Sequence, residues 1–199
     1  MLDGPLVFFD IDTQRDFLEP GGALFIEGSA AILANLARLT ACARARGIPV
    51  VASACAHNAD DAELRHWPPH CMVGTPGQQR IAATAWPGSE VLAPDGLHFG
   101  ALPHHLTIEK RTLDVFSHPD ADRLIGLYRR VHPTFVVYGV ATDYCVKAAV
   151  LGLLNRGSSV AVVVDAVHAI DRGAEPGLLT EFVNRGALLT LTGVVCEDS

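Results

Sequence analysis

Short, almost uninterrupted apolar runs alternate along this chain with longer stretches whose apolar residues recur every three or four positions. Pro5 to Ile11 and Ile48 to Ala54 are of the first kind, as are Leu106 to Ile108, Thr134 to Tyr138, Ser159 to Val164 and Ala187 to Thr192. Runs of this length, rich in β-branched and aromatic residues, read as strands buried on both faces. Between them, Ser29 to Arg46, Ala121 to Val131, Asp143 to Asn155 and Glu175 to Asn184 read as helices. Ser29 is placed to cap the first and Gly47 to stop it, while Gly157 lies beyond the third. Strands alternating with helices predict an α/β fold with a doubly wound parallel sheet of six strands and helices on both faces. One domain over residues 1–199 suits the length, and no repeat or linker divides the chain. The stretch from Cys55 to about Pro103 holds half of the twelve prolines and no strong period, so it reads as a functional or partly mobile connection.

Composition narrows the class. Of 199 residues, 49% are hydrophobic and 19% charged, which describes a well-buried globular chain. The formal charge of −7, with scattered basic residues, argues against nucleic acid and against an anionic membrane as partners. No stretch reaches the roughly eighteen apolar residues of a membrane span, and the amino terminus lacks a signal pattern. A cytoplasmic protein is therefore expected. The five cysteines form an odd set without CxxC spacing and are expected to be reduced.

In sheets of this kind ligands bind at the carboxyl ends of the strands. Asp12, Cys55, Lys110 and Cys145 all follow predicted strands. Cys145 lies where the run Gly139-Val-Ala-Thr-Asp-Tyr-Cys-Val146 turns from strand to helix, so free amides and the helix dipole favour a thiolate there. A packed core thiol is the competing reading. Asp12 could take a thiol proton; so could Asp10, which an extended strand would turn to the same side. A capping role for either carboxylate competes. Lys110 is a surface charge on the simplest reading, but beside a thiolate and a carboxylate it would lower both pKa values.

Together with their neighbours these residues carry a resemblance. Asp12-Thr-Gln-Arg-Asp-Phe17, Pro20-Gly-Gly-Ala-Leu24, Trp67-Pro-Pro-His-Cys71 with Gly74-Thr-Pro-Gly77, Glu109-Lys110 and Ala141-Thr-Asp-Tyr-Cys-Val146 follow in order. Taken together, the sequence resembles the nicotinamidase/pyrazinamidase branch of the isochorismatase-like cysteine hydrolases, from about residue 5 to residue 192. The resemblance implies a catalytic triad of Asp12, Lys110 and Cys145, and it selects Asp12 over Asp10. It also implies a non-proline cis peptide at Val140–Ala141 and an oxyanion hole from the Ala141 and Cys145 amides. The implied reaction is hydrolysis of a small carboxamide, nicotinamide first, through a thioester. Another small amide or carbamoyl substrate, and a binding protein that keeps the fold without turnover, are the alternatives.

Relatives of this kind bind a divalent metal through Asp-x-His and the histidine of the tryptophan-proline block. Here the first motif reads Cys55-Ala-His57, and His70 supplies the second. Zinc accepts a Cys/His/His set readily; loss of the metal is the alternative. Asp60, Asp61, Glu63 and His66 are further ligand candidates between which spacing does not choose. Phe17 and Trp67 resemble residues that sandwich a pyridine ring, and Phe116 is a third wall candidate. Arg111 is either a contact for an acidic substrate group or an exposed charge. A homo-oligomer is compatible with the composition, although no stripe marks an interface.

Overall fold

The structure, a computed structural model, describes residue 2, residues 4–95 and residues 103–197. The end of the irregular stretch, at 96–102, lies outside the described residues. In chain order the elements are β1 (Leu6–Ile11), α1 (Arg15–Leu18), α2 (Leu33–Arg46), β2 (Val50–Cys55), β3 (Glu90–Leu92), β4 (His105–Lys110), α3 (Ala121–Tyr128), β5 (Thr134–Val140), α4 (Lys147–Asn155), β6 (Ser159–His168), α5 (Glu175–Asn184), β7 (Leu188–Thr190) and α6 (Thr192–Cys196). The strands form one sheet in the order β3-β4-β2-β1-β5-β6-β7, with every pairing parallel.

Period-two alternation divides the core. Val7, Phe9 and Ile11 face a layer that contains Leu124, Val150 and Phe182, contributed by α3, α4 and α5. Phe8, Val136 and Tyr138 face the opposite layer, built on Leu36 and Leu39 of α2 with Val195 of α6. Burial of both sheet faces explains why the central strands read as continuous apolar runs.

The sheet has seven strands rather than six. The extra one, β3, is a three-residue edge strand with two exposed positions, too short to show a period. Ala187 to Thr192 is only partly strand, because Thr192 opens α6 and fixes its amide and hydroxyl on Asp165. Ser29 is not a cap: Gly28, at φ 83°, turns the chain inward, and Ser29 enters a short 3-10 turn with its hydroxyl buried and unpartnered. Gly47 does end α2, in the left-handed conformation. The helix expected from Asp143 begins instead as a wide π-type turn over Thr142–Val146, followed by α4.

Strand order places the chemistry. The chain winds outward from β1 through β2 and β4, then returns to β5 on the other side of β1. The sheet therefore changes direction between β1 and β5, where a cleft opens at the carboxyl ends.

Candidate active site

Four neighbouring strand ends supply the central group. Cys55 and Lys110 are register partners on β2 and β4, Asp12 follows β1, and Cys145 lies in the turn after β5. Lys110, fully buried, is the hub. Its Nζ lies 2.8 Å from Asp12 Oδ2, 3.1 Å from Cys55 Sγ, 3.6 Å from Cys145 Sγ and 3.0 Å from the Thr112 carbonyl oxygen. A buried ammonium needs such company, since an unpaired one costs several kcal/mol.

Asp12 has left the extended conformation. At φ 47° it breaks the alternation, so Asp10 and Asp12 do not share partners as an extended strand would allow. Asp12 accepts from the Ser53 hydroxyl at 2.6 Å and meets Lys110, whereas Asp10 accepts from Thr13 and pairs with Arg80. The neighbouring motif residues are clamps. The Gln14 side-chain amide donates to the Cys55 carbonyl at 2.8 Å and accepts from the Cys55 amide at 2.7 Å, which fixes that residue on both sides. Asp16 accepts from the Cys71 and Ala23 amides, and a Cβ at Gly77 would lie 2.2 Å from its carboxylate.

Charge within the cluster is shared. Burial raises the Asp12 pKa, Cys55 adds to this, and Lys110 and Ser53 oppose it. Burial works to lower Lys110, but Asp12 and the two sulfurs outweigh it and hold the ammonium well above its ordinary value. The Cys145 thiol hydrogen-bonds to the Cys55 sulfur. Cys55 is thereby lowered well below the usual thiol range, with help from Lys110, His57 and His70, and Cys145 is raised well above it.

A second group adjoins the first. Donor atoms of Cys55, His57 and His70 lie within 4.8 Å of one another, all buried. His57 Nδ1 meets Asp61 at 3.1 Å and His70 Nδ1 meets the Pro68 carbonyl oxygen at 2.8 Å. Outer partners of this kind fix a histidine ring and leave the other nitrogen for a metal. His57 Nε2 is accordingly buried with no hydrogen-bond partner. Glu63 Oε1 is 3.8 Å from that nitrogen and 4.0 Å from His70 Nε2. Burial would lower both histidine pKa values, but Cys55 raises both, with Glu63 and Asp61 adding to it at His57 and the Pro68 carbonyl at His70. Such a set of convergent donors, one of them orphaned, fits a zinc-sized cation. Glu63 lies beside the group without belonging to it, and Asp61 supports His57. Neither Asp60 nor His66 is among the grouped donors.

Above both groups is a cleft lined by Phe17, Trp67, Tyr144, Ile26, Ile170 and Cys145, among others. Trp67 and Tyr144 meet edge to face at 5.1 Å.

Comparison with known proteins adds a family to this geometry. The model described as "Isochorismatase domain" matches residues 95–193. The nicotinamidase/pyrazinamidase of Mycobacterium tuberculosis is 26% identical over 178 residues, 86% of this chain and 90% of the relative. The nicotinamidase of Escherichia coli is 28% identical over 196 residues, 84% of each chain. Among solved structures, a pyrazinamidase of Pyrococcus horikoshii in complex with zinc superposes with a TM-score of 0.76 at 26% identity, covering 94% of this chain and 98% of the other. The chain is a nicotinamidase-like member of the isochorismatase superfamily.

In this superfamily member the cleft floor is the loop after β5. The Val140–Ala141 peptide is cis. Just before it, the β5–β6 register slips between Val137 and Gly139, and a Cβ at Gly139 would lie 2.0 Å from the Ile11 carbonyl oxygen. That close approach needs glycine. Two carboxylates tie the loop down: Glu175 accepts from the buried Thr142 hydroxyl at 2.7 Å, and Asp143 accepts from the Ile170 and Asp171 amides.

One expected wall residue lies elsewhere, and Arg111 follows its default reading as a charge outside the cleft. Phe116 packs over Gly152, beneath the Arg156 guanidinium at 3.7 Å, and does not line the cleft; Gly152 leaves the space that its ring occupies. Arg111 forms two hydrogen bonds with Asp95 rather than reaching the cleft. Tyr144, Leu24, Ile26, Leu113 and Ile170 are walls that the sequence reading missed, because apolar loop residues carry no period. Among the described residues no helix is long and apolar enough to cross a membrane.

Proposed function

We propose that this nicotinamidase-like chain is an amidohydrolase that cleaves a small aromatic carboxamide, nicotinamide first, to the acid and ammonia. One observation carries the reading. A partly buried Cys145 lies against a buried Lys110–Asp12 pair at the base of an aromatic-walled cleft.

The residues divide the chemistry as follows. Asp12 accepts the Cys145 thiol proton, with Lys110 between them holding both groups. The sulfur attacks the carbonyl carbon, and the Ala141 and Cys145 amides receive the developing oxyanion. Asp12 returns the proton to the leaving nitrogen, the C–N bond breaks, and ammonia departs. Water then attacks the thioester, again giving a proton to Asp12. As the acid forms, Lys110 stabilises the departing thiolate. Phe17, Trp67 and Tyr144 orient a flat ring by face and edge contacts.

Cys55, His57 and His70, with Glu63 beside them, are the residues that would hold a divalent metal, and the sulfur donor favours zinc over magnesium or manganese. Bound there, zinc would supply Lewis acidity beside the cleft. Reduced Cys55 and Cys145 suit a cytoplasmic location.

Ammonia release from a panel including nicotinamide, pyrazinamide and N-carbamoyl amino acids tests the proposal. Turnover of an aromatic amide that vanishes in a normally folded Cys145→Ala protein is the expected result. Hydrolysis that survives this substitution would refute the thioester route. Inertness toward the whole panel, in zinc-supplemented protein, would favour a binding protein.

A further inference from the structure

The catalytic reading uses one sulfur, yet Lys110 Nζ touches two, Cys55 at 3.1 Å and Cys145 at 3.6 Å. Their surroundings differ. Cys145 is partly buried in the wide turn Thr142–Val146 and lines the cleft, where a small molecule reaches it. Cys55 is 1% exposed at the end of β2, with its amide and carbonyl both clamped by Gln14. An accessible thiol with a second thiol against it and a shared ammonium has the layout of an oxidised-and-resolved pair.

We propose that Cys55 and Cys145 form a reversible disulfide when hydrogen peroxide enters the cleft, with Cys145 as the sulfur first oxidised and Cys55 as the resolving sulfur. In the first step Cys145, its proton passed to Asp12, attacks one peroxide oxygen. An S–O bond forms, the O–O bond breaks, and hydroxide leaves, giving Cys145 sulfenic acid. In the second step Cys55 attacks the sulfenyl sulfur; the S–S bond forms, the S–O bond breaks, and hydroxide leaves again. Both hydroxides are protonated to water by the two thiol protons. Two thiols and one peroxide thus become one disulfide and two waters, and the two electrons lost by sulfur are those gained by peroxide.

A disulfide needs an S–S distance of about 2.05 Å. The approach falls to the partly buried Cys145 side chain, while the Gln14 clamp and the strand hold Cys55. The other thiols are poorly placed. Cys42 and Cys196 lie in the layer between α2 and α6, and Cys71 is fully buried. With Cys145 tied up, the cleft has no nucleophile. A neighbouring thiol would therefore protect the active sulfur from irreversible oxidation to the sulfinic acid. The inference depends on sulfur geometry and not on the identity of any substrate, so it stands or falls separately from the amide reading.

Peptide mapping decides it. The full-length protein, treated with chelator and then exposed to hydrogen peroxide, is alkylated and digested without reductant. A peptide joining Cys55 to Cys145, lighter than the two parts by one H2 and dispersed by dithiothreitol, is expected. In Cys55→Asp the same treatment should drive Cys145 to sulfinic acid, which dithiothreitol does not reverse. Three results would overturn the proposal: Cys145 ending as sulfinic acid in the unmodified chain, a bridge from either sulfur to Cys71, or loss of both free thiols without a cross-link.

Discussion

Replacing Lys110 with methionine keeps most of the side-chain volume and removes the charge at the centre of the cluster. The ammonium is fully buried and lies 2.8 Å from Asp12, so the substitution strands a buried carboxylate. Removing one partner of a buried pair costs about 3–5 kcal/mol. In a chain of this size 1 kcal/mol moves Tm by about 2–4 °C, so a fall on the order of 10 °C is expected. The loss should also depend on pH. Burial already places the folded pKa of Asp12 above its unfolded value. The native state therefore binds the proton more tightly, and its stability falls as pH rises through the folded pKa. Without Lys110 that pKa moves higher still, so the variant's deficit is smallest in acid and grows toward neutral pH. Urea unfolding of the chelator-treated protein at acidic and neutral pH, followed by tryptophan fluorescence, measures both effects. A deficit under about 1 kcal/mol, or one that shrinks as pH rises, would refute this account of the cluster, because surface ion pairs are worth only that much.

Gly139→Ala would set a Cβ 2.0 Å from the Ile11 carbonyl oxygen at φ 114°, so a loss of roughly 4 kcal/mol or more is expected from thermal or urea unfolding. Near-normal stability would mean that β1 and β5 do not approach as described. Glu63→Ala should weaken zinc binding about 10–100-fold in competition with a chromogenic chelator while leaving Tm of the metal-free protein nearly unchanged. An unaltered zinc affinity would remove Glu63 from the metal site.

The sheet and its layers were legible because burial on both faces leaves unbroken apolar runs, and Val136-Val137-Tyr138 could only be a central strand. Positions at the ends of such runs were legible for the same reason: Asp12, Cys55, Lys110 and Cys145 follow strands, and strand order brings them together. What escaped depends on contacts distant in sequence. Glu90–Leu92 becomes a strand only because β4 offers an edge to pair with. Nothing local distinguishes Glu63 from Asp60; the fold turns Glu63 toward two histidines. Phe116 is as aromatic as Phe17, but the missing side chain at Gly152 draws it onto α4 and away from the cleft. The positive φ of Asp12 separates it from Asp10, and no pattern of polar and apolar residues reports a backbone angle.

The claim at the centre is that Cys145 carries the acyl group between amide and acid. Acid-quenching the zinc-supplemented protein during turnover of nicotinamide or pyrazinamide, followed by peptide mapping, tests it directly. The account predicts an acyl group on the Cys145 peptide, present during turnover and gone once substrate is exhausted. An acyl group on Cys55, or steady turnover with every cysteine unmodified, would contradict it.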